Sequence, residues 1–141
     1  MKFAPHFFSS IALTAVLYPF FGWASLMAFV GGFIVDIDHY FYFVLRKRSL
    51  SPRGAWKYYY ERKLMADRPM INIFHTAEAF VAVGVFALFS TPAMILAAGF
   101  LMHMILDFTE TIYNDWWNDR SSSIIYWLVN HKKIRAQLSS S

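Results

Sequence analysis

Apolar residues fall in four long runs along the chain, separated by short polar segments. The runs cover residues 7–21, 23–45, 71–89 and 93–112. A helix of about 20 residues, rising about 1.5 Å per residue, is long enough to cross a hydrocarbon core of about 30 Å. The first run is shorter, so we expect it to be tilted or only partly inserted. The pattern predicts an all-α integral membrane protein with four apolar helices.

The segments between the runs predict how the helices connect. Pro19 and Gly22 separate the first run from the second, and a Ser-Thr-Pro turn at residues 90–92 separates the third from the fourth. A polar stretch at 46–69 separates the middle two runs. We therefore expect two helical hairpins joined by this loop, together forming a transmembrane domain over residues 1–113.

The tail, residues 114–141, has a mixed composition. Within it residues 124–138 predict an amphipathic helix that lies in the membrane interface, because aromatic side chains are followed there by basic ones. The side chains that indicate this are Tyr126, Trp127, Lys132, Lys133 and Arg135. The tail is therefore predicted to be interfacial or cytoplasmic.

Composition agrees with a membrane protein and narrows its chemistry. Of the 141 residues, 57% are hydrophobic and 16% are charged, which is little charge for the surface of a water-soluble domain of this size. Cysteine is absent, which excludes disulfides and thiolate metal sites. Any bound metal must therefore have nitrogen and oxygen ligands. No block of alternating basic and aromatic residues indicates a nucleic-acid partner.

The placement of charge predicts the orientation in the membrane. The 46–69 loop contains two acidic residues, Glu61 and Asp67, and a larger number of basic residues. The turns near Gly22 and Thr91 carry no charge. The basic residues of the loop are Arg46, Lys47, Arg48, Arg53, Lys57, Arg62, Lys63 and Arg68. Positively charged loops stay on the cytoplasmic side. The loop and both termini are therefore predicted to be cytoplasmic.

Four groups of ionisable side chains interrupt the apolar runs, and each needs an explanation because such groups are costly within a membrane. They are His6; Asp36, Asp38 and His39; His75 and Glu78; and His103 and Asp107. Spacings of three or four residues place the members of a pair on one face of a helix. Given the predicted topology, all four groups lie towards the cytoplasmic side at similar depth.

Histidines and carboxylates at one depth predict a site for a divalent metal. This donor set suits zinc first, with manganese or iron as alternatives. Eight donors would serve one ion, or two ions about 3.5–4 Å apart with a shared carboxylate from Asp36 or Asp107. Glu78 or Asp38 could act as the general base or could orient a ligand histidine.

A site at the membrane surface favours hydrolysis of a phosphoester in a lipid or lipid-linked substrate. Arg53, Lys63 and Arg68 would then steer an anionic headgroup. Three other classes stay open: a structural metal site that holds helices together, a metal or proton transporter assembled from several copies, and a buried hydrogen-bond network without metal. We rank the hydrolase first, the structural site second and the transporter third.

The motifs that carry these residues resemble those of the bacterial membrane-bound metal-dependent hydrolases of the YdjM-like type. The matching residues are His6, then Asp36-Ile37-Asp38-His39, then His75-Thr76, then His103 and Asp107. The resemblance implies a multi-pass protein of the bacterial inner membrane. Val35 replaces the proline of the family's PDIDH segment, and the His-Arg pair upstream of His75 is missing. The H-x-x-x-D pair is also faintly similar to zinc-dependent phospholipase C.

Overall fold

The computed structural model describes residues 3–60, 72–114 and 123–130, and the regular structure within these ranges is entirely helical. The helices are α1 Phe3–Phe21, α2 Leu26–Phe33, α3 Ile37–Lys47, α4 Pro52–Tyr60, α5 Ala77–Phe86, α6 Thr91–Asn114 and α7, residues 124–130. Short 3-10 turns cover Gly22–Ser25, Ile34–Asp36 and Ile73–His75. The predicted all-helical class is confirmed.

Within the described ranges, two helical stretches are long and apolar enough to cross a membrane, by length and composition. They are Ala4–Lys47, which contains α1 to α3, and Thr91–Tyr113 in α6. Helix α5 is apolar but shorter, with ten residues. The finer arrangement of four membrane helices in two hairpins stays a prediction.

The chain divides into two compact units. The first unit contains Met1–Asp36 and Phe80–Asp115. In this unit α1 and α2 run side by side in opposite directions, because Phe7 near the start of α1 contacts Phe33 at the end of α2, with ring centroids 5.3 Å apart. Gly22, at a φ of 55°, allows the reversal between them, since a left-handed backbone is costly for other residues.

Close backbone contact joins α2 to α6 in the first unit. A Cβ atom added to Gly31 would overlap the carbonyl oxygen of Leu96, and one added to Gly99 would overlap the carbonyl oxygen of Ala28. Small residues allow apolar helices to approach this closely and to gain dispersion contacts along their backbones. This contact fixes the register of α6 against α2.

The second unit contains Ile37–Ala79 and Trp116–Ser141. Helix α4 in this unit was not predicted, because its basic sequence indicated a loop. Ser51 caps it by accepting a hydrogen bond from the Gly54 N–H (3.0 Å), and Pro52 at the first helical position favours the start. The inner side of α4 packs on α3 through Tyr58 and Phe43, whose ring centroids lie 5.6 Å apart.

The third apolar run also differs from its predicted helix. Helix α5 begins at Ala77, where Thr76 caps it by accepting a hydrogen bond from the Ala79 N–H (3.4 Å). His75 lies in the preceding 3-10 turn, so His75 and Glu78 do not share one helix as predicted.

Several residues used in the predictions lie outside the described ranges. These are Glu61, Arg62, Lys63, Asp67 and Arg68 of the loop, and Lys132, Lys133 and Arg135 of the tail. Of the predicted helix at 124–138, residues 124–130 are described and helical.

Candidate metal centre

The first unit contains a buried group of histidines and carboxylates, which we call the first cluster. Its members are His6 on α1, Asp36 at the end of the 3-10 turn, and His103, Asp107 and Glu110 on α6. The three residues on α6 are spaced by four and by three, so they share one face of that helix. The structure therefore brings together four of the predicted ligands, from three segments of the chain.

His103 is held in one orientation by the backbone. Its Nδ1–H donates a hydrogen bond to the carbonyl oxygen of Gly32 (2.9 Å), and a carbonyl oxygen can only accept. In the neutral imidazole the lone pair is therefore on Nε2. This atom lies 3.4 Å from Oδ1 of Asp36 and 3.9 Å from Oδ2 of Asp107. Because a lone pair and a carboxylate oxygen repel each other, a proton or a metal ion has to lie between them.

His6 adds a second imidazole to the first cluster. Its ring centroid lies 4.4 Å from that of His103, and its Nε2 lies 3.4 Å from Oδ1 of Asp107. The side chain is 1% exposed, and neither ring nitrogen makes a hydrogen bond within the described part of the chain. Buried polar atoms nearly always have a partner. The His6 ring is therefore available to bind a further group.

The spacing of the donor atoms fits a small divalent ion. Two triads occur within the unit, His6 with Asp36 and His103, and His6 with Asp107 and Glu110, each with donor atoms within 4.8 Å of one another. Bonds of about 2.0–2.2 Å to a tetrahedral ion place its ligand atoms about 3.4 Å apart. The His6–Asp107 and His103–Asp36 distances, both 3.4 Å, agree with that geometry.

The second unit contains a group organised around one carboxylate, which we call the second cluster: Asp38, His39, Asn72 and His75. Oδ1 of Asp38 accepts a hydrogen bond from Nδ1–H of His39 (2.8 Å), and Oδ2 accepts one from Nδ1–H of His75 (3.2 Å). The backbone N–H of Phe74 also donates to Oδ2 (3.0 Å). Asp38 thus holds the 3-10 turn that carries His75 against the start of α3.

The same contacts determine the tautomers of both imidazoles. With Nδ1–H directed to Asp38, each neutral ring carries its lone pair on Nε2. Nε2 of His39 accepts a hydrogen bond from the Asn72 amide (3.0 Å). A carboxylate that accepts Nδ1–H of a histidine is the usual arrangement behind a metal ligand. Asp38 is therefore placed as a positioning residue for His39 and His75.

Glu78, predicted as a ligand or general base, has a different environment in the second unit. Its carboxylate accepts hydrogen bonds from the Ser123 hydroxyl (2.6 Å) and from the backbone N–H groups of Ile124 (3.1 Å) and Ile125 (3.3 Å). It therefore caps the start of α7. The Ser123 hydrogen bond and the backbone donors lower the pKa of Glu78 to about 2. Among the described residues, Glu78 joins no group of candidate ligands.

Three contributors to these clusters were not predicted. Glu110 could have been identified, because it lies three residues after Asp107 and extends the stripe on α6. Asn72 gave only a weak signal as a polar residue three positions before a predicted ligand. The Gly32 carbonyl gave none, because backbone contacts between distant segments leave no mark in a sequence.

Comparison with protein-family models, with curated proteins and with solved structures found no match. The class that the described residues define is a helical chain with two helices apolar enough to span a membrane and a buried His/Asp group that could hold a metal ion.

Proposed function

We propose that this chain is a membrane-embedded, metal-dependent hydrolase of the YdjM-like type, which cleaves a phosphoester in a lipid or lipid-linked substrate at the cytoplasmic face of the bacterial inner membrane. One observation carries the proposal: Nε2 of His103 is directed at the carboxylates of Asp36 and Asp107. That arrangement requires a proton or a metal ion between these groups, and in this proposal a metal ion takes that position.

The ligands of the ion in this proposal are His6, Asp36, His103 and Asp107, with Glu110 as an additional oxygen donor. Zinc is the first candidate, because imidazole and carboxylate donors in a buried site suit it; manganese and iron are the alternatives. A bound divalent ion would supply a Lewis acid and would lower the pKa of a bound water to about 7.

The burial of the ligands supports a direction for substrate approach. The side chains of His6, His103 and Asp107 are at most 2% exposed, whereas that of Asp36 is 24% exposed. Solvent and a substrate phosphate would therefore reach the first cluster from the side of Asp36. The other three ligands keep water away and hold the donors in place.

Of the two carboxylates predicted as general base, Asp38 is better placed to act through other residues. It binds Nδ1–H of both His39 and His75, so we assign it the positioning of these rings. Glu78 is engaged at the start of α7, and we assign it the anchoring of the tail.

A structural metal site is the second candidate, and the deep burial of His6, His103 and Asp107 favours it. The two candidates share the metal and differ in turnover. A structural ion would leave no open coordination position for water, so the protein would bind metal without hydrolysing any substrate.

The test measures metal content and hydrolysis on the full chain purified in detergent. Elemental mass spectrometry is done on the wild type, on a His103→Ala/Asp107→Ala variant and on Ser25→Ala, a control with a fully buried polar side chain outside both clusters. Phosphate release from phosphatidic acid and from a polyprenyl phosphate in mixed micelles is then followed with added zinc or manganese.

We expect near-stoichiometric metal and phosphate release in the wild type and in the control, and neither in the double variant. Bound metal with neither phosphate release nor cleavage of any lipid phosphodiester would favour the structural site. Absence of metal from wild-type protein prepared with added zinc, manganese or iron and without chelator would overturn both candidates.

A further inference from the structure

Helix α4 has two sides of different character, both within the second unit. Ala55 and Tyr58 are buried on its inner side, where Tyr58 packs on Phe43 of α3. Nζ of Lys47 lies 5.2 Å from the centroid of the Tyr58 ring, a cation–π contact that adds to this packing. These contacts fix α4 on α3, and they therefore also determine which residues lie on its outer side.

The outer side of α4 combines basic groups with a tryptophan. Arg53, Trp56 and Lys57 are exposed, and Trp56 is 53% exposed despite its large apolar ring. Spacings of three and four residues place Trp56 and Lys57 on the same face as Arg53. We call these three residues the basic–aromatic face.

The position of α4 along α3 marks a boundary between apolar and basic surface. Ile37, Phe41 and Leu45 of α3 form a stripe that is 42%, 55% and 80% exposed, and the basic residues 46–48 follow directly. Phe43, which holds α4, precedes Lys47 by four residues, or about 6 Å of helix rise. Helix α4 therefore packs beside the last turn of α3, at the level where exposed apolar surface gives way to positive charge.

We propose that α4 is an interfacial helix whose basic–aromatic face binds anionic phospholipid headgroups at the surface of the bilayer that the long helices cross. Tryptophan prefers the headgroup region because its ring is apolar and its N–H is polar. The Arg53 guanidinium suits phosphate oxygens geometrically, and Lys57 adds positive charge. Each basic residue near an anionic surface contributes about a fivefold gain in binding. The proposal is independent of the metal centre, because none of these residues belongs to either cluster.

A spin label tests the location of this face. The chain lacks cysteine, so Trp56→Cys provides one attachment site on an exposed position, and Phe41→Cys provides a matched reference on the exposed stripe of α3, further from the basic residues than Phe43. The full chain is reconstituted in vesicles of phosphatidylcholine, with or without phosphatidylglycerol. Collision of the nitroxide with oxygen and with a water-soluble nickel complex reports its depth.

We expect the label at position 41 to lie in hydrocarbon in both lipids. The label at position 56 should lie at headgroup depth with phosphatidylglycerol, and should become several-fold more accessible to nickel without it or at high salt. Arg53→Gln/Lys57→Gln should abolish the effect of phosphatidylglycerol, because it removes two basic residues that each contribute about a fivefold gain in binding.

A second measurement keeps the native Trp56. Quenching of tryptophan emission by brominated anionic lipid is compared between the wild type and Trp56→Phe, and the difference isolates Trp56 among the five tryptophans. If the label at position 56 lies in water in both lipids and Trp56 is not quenched, the proposal is overturned. The basic–aromatic face would then be a binding surface for a soluble partner. If the label at position 56 lies at the same depth in both lipids, and the double substitution does not change that depth, the claim that this face binds anionic headgroups is overturned.

Discussion

Nε2 of His103 lies 3.4 Å from Oδ1 of Asp36, while Nδ1–H of the same ring is engaged by the Gly32 carbonyl. A neutral imidazole so held presents a lone pair to a carboxylate, which is favourable only when a proton or a metal ion lies between the two atoms. This relationship connects the packing of α6 on α2 to the candidate metal centre, since Gly32 belongs to α2.

Removal of His103 should reduce metal affinity more than removal of a supporting residue. Loss of a residue that supports a ligand typically costs 10–100-fold in metal affinity, so we expect His103→Ala to lower the affinity for zinc by at least about 100-fold. Competition with a fluorescent zinc chelator measures this. Ser25→Ala serves as the control and should bind as the wild type does; equal affinity in His103→Ala would exclude this ring as a ligand.

Substitution of Asp38 should disturb two histidines at once. In Asp38→Asn the Nδ1 atoms of His39 and His75 lose their carboxylate acceptor, so the preference for the Nδ1–H tautomer weakens. Nitrogen-15 chemical shifts of the imidazoles measure this change directly.

The matched control for Asp38 is Asp38→Glu, which keeps the carboxylate and should restore part of the tautomer preference. Unchanged imidazole shifts in Asp38→Asn would contradict the positioning role, whatever happens to activity.

Contact between α2 and α6 should be sensitive to a single methyl group. Gly31→Ala would place a Cβ against the Leu96 carbonyl oxygen, and overpacking of this kind costs about 1–3 kcal/mol of unfolding free energy. Gly84→Ala is the control, because no atom lies within 4 Å of its Cβ position; it should be neutral or slightly stabilising. Unfolding of both variants in mixed detergent measures the difference, and equal stability would show that α2 and α6 separate at little cost.

The anchoring of α7 by Glu78 should depend on pH in one direction. The hydrogen bonds lower the pKa of Glu78 from 4.5 to about 2, so the ionised form is the one that binds. The contribution is fully present above pH 4.5 and is lost as the pH falls through about 2. A spin label at Leu128→Cys should therefore stay immobilised at pH 4 and become mobile near pH 2.

Glu78→Gln should make the same label mobile at neutral pH, because the neutral amide accepts more weakly from the two backbone N–H groups. Ser123→Ala removes one of the donors and should have a smaller effect. A label that is equally immobile in Glu78→Gln would show that other contacts hold α7.

The sequence by itself determined the helical class and much of the first cluster. Long apolar runs require helices, since a helix satisfies its own backbone hydrogen bonds without water. The spacing of His103 and Asp107 places both on one face of α6 wherever that helix packs. The ionisable groups were conspicuous because such residues are rare and costly in apolar runs.

Only the tertiary structure decided how those residues divide their roles. Asp36 ends the 3-10 turn before α3 and lies near His103, whereas Asp38 lies in the first turn of α3 and holds His39 and His75. Glu78 was predicted as a ligand from its spacing to His75, but the Thr76 cap starts a new helix between them, and Glu78 binds Ser123 instead. Spacing predicts which side chains share a helical face. Caps, helix breaks and contacts between distant segments determine what each side chain contacts. A sequence pattern does not show these features, because they depend on backbone groups that every sequence has.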